Sequence, residues 1–359
     1  MNPYIYLRGL KHSEHTVFGV ADGQKYYWDN QFQRQVAYSS GQQIKRSILE
    51  AITSALNEVP APVTFYHEAA KKENKTTISE KEVTTPGDPR LADQLLGGWM
   101  IANAGGNNRT VKRRSPLSIS AMRPLHPLLG SIQSENISFD RSDRPDLHKV
   151  IVRDTNGNQL SEEQIAQLLS GSDRSLRRKW IQDNKRTSGL FIYDVAIDLR
   201  TLFCVSLNQL EPELSAETIN QLKQDGWIET ENTFGKCLIA PEERRKEIIP
   251  ALAYALINWR ILTNQSRTFS PMEVLAVAIS QNANKVAQAI RAKLIEEGEK
   301  PIARPIVDDT IDDVNVYVTL VGAGYFTTNV ESADALESAE KKLIKLLEAF
   351  DYENQLAKK

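Results

Sequence analysis

The chain has 359 residues, 41% hydrophobic and 25% charged, with 44 Lys and Arg against 46 Asp and Glu for a net charge of -2. These values exclude a disordered chain and a protein that holds nucleic acid by bulk charge; they leave one large or two ordinary globular domains with a full core. Cys204 and Cys237 form no CxxC pair, the start Met1-Asn2-Pro3-Tyr4 has no signal-peptide pattern, and no run of 18 apolar residues occurs, so the expectation is a soluble cytoplasmic protein in a reducing compartment, without a membrane partner.

Residues 4–10 alternate weakly and predict a first strand. Residues 13–20 and 24–28 predict a hairpin about Asp22-Gly23. A helix is expected over 42–57, stopped by Pro60 and Pro62. Residues 68–86 are charged and poor in large apolar side chains, and read as a mobile insertion. Asp88-Pro89 suits the cap and first turn of a helix reaching Leu96, with Gly97-Gly98 interrupting it. Gly105-Gly106-Asn107-Asn108 reads as a loop tip carrying residues 109–114, and 115–122 as a returning strand.

Residues 150–153 with Asn156-Gly157 predict a hairpin. Ser161-Glu162-Glu163-Gln164 is a capping box opening a short helix. Residues 190–207 should form two strands with a break near 198–201. Helix is expected over 242–263 with a kink at Pro250, strand over 274–280, helix over 282–297, strand over 314–321 and helix over 332–350. The order is α+β, βαββαβ, that of an RRM/ferredoxin-like fold with excursions hung on it. No internal repeat is present.

Charge is unevenly spread. Residues 30–49 contain no acid but hold Arg34, Lys45 and Arg46; residues 94–134 contain no acid but hold Arg109, Lys112, Arg113, Arg114, Arg123 and His126. Two acid-free basic stretches in a mildly acidic chain point to local phosphate contact. The first is the more structured. Ile44, Ile48, Ala51, Ile52 and Ala55 recur at helical spacing, and Ser39 or Ser40 can cap the first turn. Gln42, Gln43, Lys45 and Arg46 lie off that stripe, at the positive end of the helix dipole. Unpaired amides, hydroxyls, carboxamides and two cations there suit a phosphate.

Catalytic patterns are sparse. His12 and His15 make an HxxH; His67, His126 and His148 have no partner at ligand spacing. Gly322-Ala323-Gly324 lacks a third Rossmann glycine, no Walker A loop occurs, and Asp308, Asp309, Asp312 and Asp313 read as a solvated loop. No cofactor, metal or catalytic residue is expected.

The opening strand, the aromatic hairpin and Ser39-Ser40-Gly41-Gln42-Gln43-Ile44-Lys45-Arg46 together resemble the backbone subunit of type I CRISPR Cascade complexes, of the RAMP superfamily. The resemblance covers most of the chain loosely, and only this segment is specific. It implies a hand-shaped protein: a palm over a single interrupted domain of residues 1–359, fingers and a β-hairpin thumb from an insertion at about 58–188, and a C-terminal extension at about 282–359. It further implies a non-catalytic protein whose copies polymerise head to tail along CRISPR RNA, beside a target DNA strand and other Cascade subunits. Ser40, Gln42, Lys45 and Arg46 match the positions that hold the guide backbone in that family.

Residues 109–128 are the first choice of thumb, with Met122 and Leu125 as apolar wedges; residues 150–160 are the second. Two other readings stay open. Type III backbone subunits resemble this one and cut target RNA with a metal and a loop aspartate, for which Asp29 stands in a suitable place. A ferredoxin-like protein that binds no nucleic acid is the other.

Overall fold

The computed structural model describes residues 2–19, 23–72, 75–105, 109–138, 151–169, 180–262 and 269–356. The chain divides into two compact units, one of residues 1–132 and 187–359 and one of residues 133–186. Among the described residues no helix is long and apolar enough to cross a membrane.

In chain order the first part runs β1 (Tyr4–Thr16), β2 (Tyr26–Asp29), β3 (Arg34–Ala37), α1 (Gly41–Leu56), β4 (Thr64–Lys72), β5 (Lys75–Thr84), α2 (Ala92–Gly97), β6 (Trp99–Gly105), β7 (Arg109–Arg113), β8 (Leu117–Ile119) and β9 (Arg123–Pro124). Then come β10 (Gly130–Ser138), α3 (Glu162–Leu169), β11 (Trp180–Asp198), β12 (Cys204–Ser206), α4 (Ala216–Gln224), β13 (Ile228–Asn232), β14 (Gly235–Ile239) and α5 (Glu242–Asn258). The last part is β15 (Val274–Ser280), α6 (Ala283–Ala289), β16 (Ile290–Ile295), β17 (Ile302–Val307), β18 (Val314–Thr319), β19 (Glu331–Ser332) and α7 (Ala335–Glu348).

The larger unit is α+β, built on a mixed sheet. Its four long strands lie in the order β11-β1-β15-β18, antiparallel at each step, and β19 adds in parallel at the edge. In chain order these four are the second, first, third and fourth. β15 is Val-Leu-Ala-Val-Ala-Ile-Ser, buried along its whole length, because both faces of this inner strand are covered. Ile5 and Leu7 of β1 share one face with Phe191, Tyr193, Val195 and Ile197 of β11, and α1, α5 and α7 contribute Ile48, Leu252 and Leu343 to the same cluster. Leu10, Leu190, Ile192 and Ala276 share the other face with Val286 and Ala289 of α6.

Gly9 pairs directly with Tyr193, and a Cβ at Gly9 would lie 2.2 Å from the Tyr193 ring. The missing side chain lets that ring lie across β1, edge-on to Trp259 at 4.9 Å, with its hydroxyl donating to Leu256 O at 2.8 Å. Lys11 is buried beside it. Its ammonium donates to Ile257 O at 3.3 Å and Trp259 O at 3.0 Å and lies 4.8 Å from the Trp259 ring. A cation thus caps the negative end of α5. Burial, and then Arg260, pull its pKa down to about 7.

Several elements differ from the sequence reading. β1 runs on to Thr16, and the hairpin is β2 with β3, turning after Asp29; residues 20–22, with the expected Asp22 turn, lie outside the described residues. The expected mobile insertion, residues 68–86, falls mostly within the β4–β5 hairpin, whose backbone ladder forms although its large apolar side chains Phe65, Tyr66, Ile78 and Val83 are exposed. α2 starts at Ala92 rather than at Pro89, because the Asp88 carboxylate is taken by the Arg90 guanidinium at 2.8 Å. The helix expected over 282–297 stops at Ala289, and Ile290–Ile295 pairs with Ile302–Val307 about Gly298 and Pro301; Gly298 has φ 125. Glycine and proline close a hairpin that outweighs helical spacing.

Other elements match. α1 ends on Asn57, left-handed at φ 59; β11 and β12 break at Asp198; Pro250 lies inside α5. In the smaller unit Ser161 and Gln164 exchange both capping-box bonds, at 2.8 and 3.3 Å, and Arg153 bridges Gln159 across a turn with Gly157 at φ 86.

Candidate nucleic-acid interface

The start of α1 is built by three neighbouring residues. Ser39 is buried and bridged to Met122 by two backbone bonds, 2.9 Å from its own amide and 3.0 Å from that of Met122. Ser40 is the N-cap and accepts the Gln43 amide at 3.3 Å. Gly41 sits where a Cβ would lie 2.6 Å from Ile119 O, so only glycine lets the first turn dock on the β8–β9 segment. The amides of Gly41 and Gln42 have no acceptor within the helix.

The first turn carries no acid. Gln42 is exposed and Gln43 half-buried. Lys45 is half-buried and, among the described residues, its ammonium has no hydrogen-bond or ion-pair partner. Burial, with the Arg113 charge behind it, lowers its pKa to about 8. Arg46 is exposed and pairs with Glu50 at 2.8 Å, one turn along. Such exposed pairs are worth a few tenths of a kcal/mol, so a phosphate can displace the carboxylate. An uncompensated cation at the positive end of a helix costs stability until an anion arrives.

Arg123 follows Met122, the residue bridged to Ser39, and Arg34 opens β3, the strand that leads into this helix end. Arg34 donates to Gly130 O at 3.0 Å, and its Nε is buried without an acceptor among the described residues. Arg123 donates to Asp194 at 3.3 Å and stays half-exposed; Arg8 holds the other side of that carboxylate at 2.6 Å. Next to them the short strand β2 presents Tyr26, Tyr27 and Trp28 to solvent, Trp28 at 53% exposure. Tyr27 lies 6.0 Å from Tyr38, ring to ring. Residue-by-residue reading of charge passed over this strand. Its signal was three consecutive aromatics in a segment too short to bury them.

The second basic stretch is corrected by the structure. Residues 109–113 are strand β7, not a loop tip. Arg109 lies in that strand, and its side chain lies outside the described residues. Arg113 is only 4% exposed. Its guanidinium donates to Thr201 O at 2.8 Å, to Cys204 O at 3.1 Å and to Leu95 O, with Glu213 at 3.9 Å. Those carbonyls use its donors, so it is a structural cation and not a phosphate contact. Met122 is 0% exposed in the core, which rules it out as an exposed wedge; its backbone, not its side chain, serves the helix end. Lys112 and Arg114 are exposed and line a separate cavity.

Asp29 accepts the Phe32 amide at 2.8 Å and so caps the β2–β3 turn. His12 is 3.0 Å from Glu273 and 3.0 Å from the Tyr325 hydroxyl. Asp308 holds Arg291, and Asp313 holds Lys285. Among the described residues no group of three or more metal-ligating side chains gathers.

No protein-family model matches the chain, and no curated protein matches it. Among solved structures it is similar to a chain of a CRISPR RNA-guided surveillance complex, at 9% identity and TM-score 0.39, over 77% of this chain and 68% of that one. It is also similar to a chain of a CRISPR RNA-guided surveillance complex in a pre-nicking state, at 8% identity and TM-score 0.46, over 96% of this chain and 89% of that one. At these identities and TM-scores neither likeness bears on function.

Proposed function

We propose that the protein is a guide-RNA-binding backbone subunit of a type I CRISPR Cascade complex, cytoplasmic and non-catalytic. The observation that carries this reading is the Ser39–Arg46 segment. The residues that resemble the family's guide-binding motif sit at a capped helix start with no acid in its first turn, a Lys45 unpaired among the described residues and a weakly held Arg46. The main sheet, with α1 and α5 on one face, serves as the RRM-like palm. The phosphodiester backbone runs past the α1 N-terminus, where Ser40, Gln42, Gln43, Lys45 and Arg46 hold it, with Arg34 and Arg123 at the border. Contacts to phosphates and riboses make recognition independent of sequence, and base pairing supplies the choice of target DNA. Copies of the chain add head to tail along the RNA, beside other subunits of the complex.

Mass photometry on a ladder of RNA lengths tests it. The mass should rise in whole-protomer steps as the RNA lengthens, and the steps should fade in Lys45→Ala/Arg46→Ala. A constant mass at every length would overturn the proposal.

A further inference from the structure

A cavity of about 530 Å³ lies between the Lys112–Ser118 segment and the β12–β14 sheet. We propose that it binds a nucleotide carrying a phosphomonoester, either a free mononucleotide or the phosphorylated end of an RNA strand.

The first ground is a fixed aromatic surface. Arg200 is clamped by Asp198, Nε to Oδ1 at 2.9 Å and Nη2 to Oδ2 at 2.8 Å, and donates to the Tyr4 hydroxyl at 2.6 Å. Its guanidinium lies 5.0 Å from the Tyr4 ring and 4.8 Å from the Phe234 ring. Phe234 is 58% exposed, yet its backbone is held: Asn232 accepts its amide at 2.8 Å and donates to Arg200 O at 3.2 Å. A large apolar ring kept in place while half in water is a stacking surface awaiting a planar partner.

The second ground is charge. Three cations of the lining face acids: Arg200 with Asp198, Lys112 with Glu211 at 4.0 Å, and Arg113 with Glu213 at 3.9 Å. Arg114 and Lys236 are the other two cations of the lining, and among the described residues neither forms an ion pair within 4 Å, although the Lys236 charge reaches Glu229 outside the cavity. Two surplus cations match a phosphomonoester, which carries about -1.5 to -2 charges at neutral pH, better than the single charge of a phosphodiester. Arg114 adds a fork suited to two phosphate oxygens. The volume lies within the usual range for small-ligand pockets.

Titration calorimetry on the full chain tests this with four probes: adenosine 5′-monophosphate, a short 5′-phosphorylated RNA, the same RNA unphosphorylated, and inorganic phosphate. A phosphorylated nucleotide probe should bind saturably, and its affinity should fall about tenfold or more in Arg114→Ala/Lys236→Ala. Phe234→Ala should weaken the nucleotide and leave inorganic phosphate unchanged. Binding of the mononucleotide identifies the free ligand as the source; binding of the phosphorylated RNA alone identifies a strand end. All of these side chains are exposed, so an unchanged thermal melt verifies the fold. Lys45→Ala/Arg46→Ala should leave mononucleotide binding intact, which separates this site from the guide-RNA proposal. The inference is overturned if no phosphorylated probe binds, if the double variant binds as well as the parent, or if inorganic phosphate binds as tightly as the nucleotide and Phe234→Ala has no effect.

Discussion

Replacing Arg113 with Met should unfold the protein more readily without touching the surface proposed to bind RNA. The guanidinium is buried and supplies the donors for the carbonyls of Leu95, Thr201 and Cys204, tying α2 to the turn before β12. A buried carbonyl left without a donor costs about 1–3 kcal/mol, and water entering the vacated space recovers part of that. Glu213 would also lose the nearby cation that opposes the upward push of burial on its pKa. Together the loss should be roughly 3–5 kcal/mol, the usual cost of removing one member of a buried charged cluster. In a unit of this size that corresponds to a drop in Tm on the order of 10 °C. The sign with pH follows from Glu213. A carboxyl with a raised folded pKa binds more protons folded than unfolded, so stability falls as pH rises through that pKa. The variant's deficit should therefore grow from acidic toward neutral pH. Thermal unfolding between pH 4.5 and pH 7.5 would measure it, beside RNA binding below the melt. A Tm within a degree of the parent, with weakened RNA binding, would refute the reasoning and return Arg113 to the phosphate contacts.

Lys45→Ala and Arg46→Ala should each weaken RNA binding equally for all sequences, lowering the salt slope by about 0.7 per contact on a single strand; filter binding across a salt series reads this. Because the Lys45 pKa is lowered to about 8 by burial, its charge and its share of affinity should fade as pH rises past 8, and Lys45→Arg should remove that step; binding measured from pH 7 to pH 9.5 decides it. Gly41→Val should push the first turn of α1 off Ile119 at a cost of about 1–3 kcal/mol and reduce RNA binding with it, whereas Ser40→Ala should cost about 1 kcal/mol; denaturant melts separate the two. Lys11, with its pKa brought down to about 7 by burial, should make the protein gain stability as pH rises from 7 to about 10, since the unfolded lysine holds a proton that the folded one has lost; Lys11→Met should flatten that rise in urea titrations.

Elements whose formation depends on local pattern were legible in the sequence. α1 announces itself through its isoleucine stripe and Ser40, β15 through an unbroken apolar run, and α3 through its capping box. The make-up of the α1 start was equally local, because cap, glycine and cations lie within eight residues. What depends on distant partners was not legible. Arg113 and Arg114 are neighbours in one basic run, yet strand alternation sends the first into carbonyls nearly ninety positions away, at Thr201 and Cys204, and leaves the second in solvent. Met122 became core because Ser39 bridges it, and the Ala283–Ile295 segment split into helix and strand because Ile302–Val307 was there to pair with it. Composition and spacing thus determined which segments carry charge and periodicity. Only the tertiary structure decided which cations remain free for a ligand, since a guanidinium's hydrogen bonds are filled by whatever the fold brings within 3 Å of it.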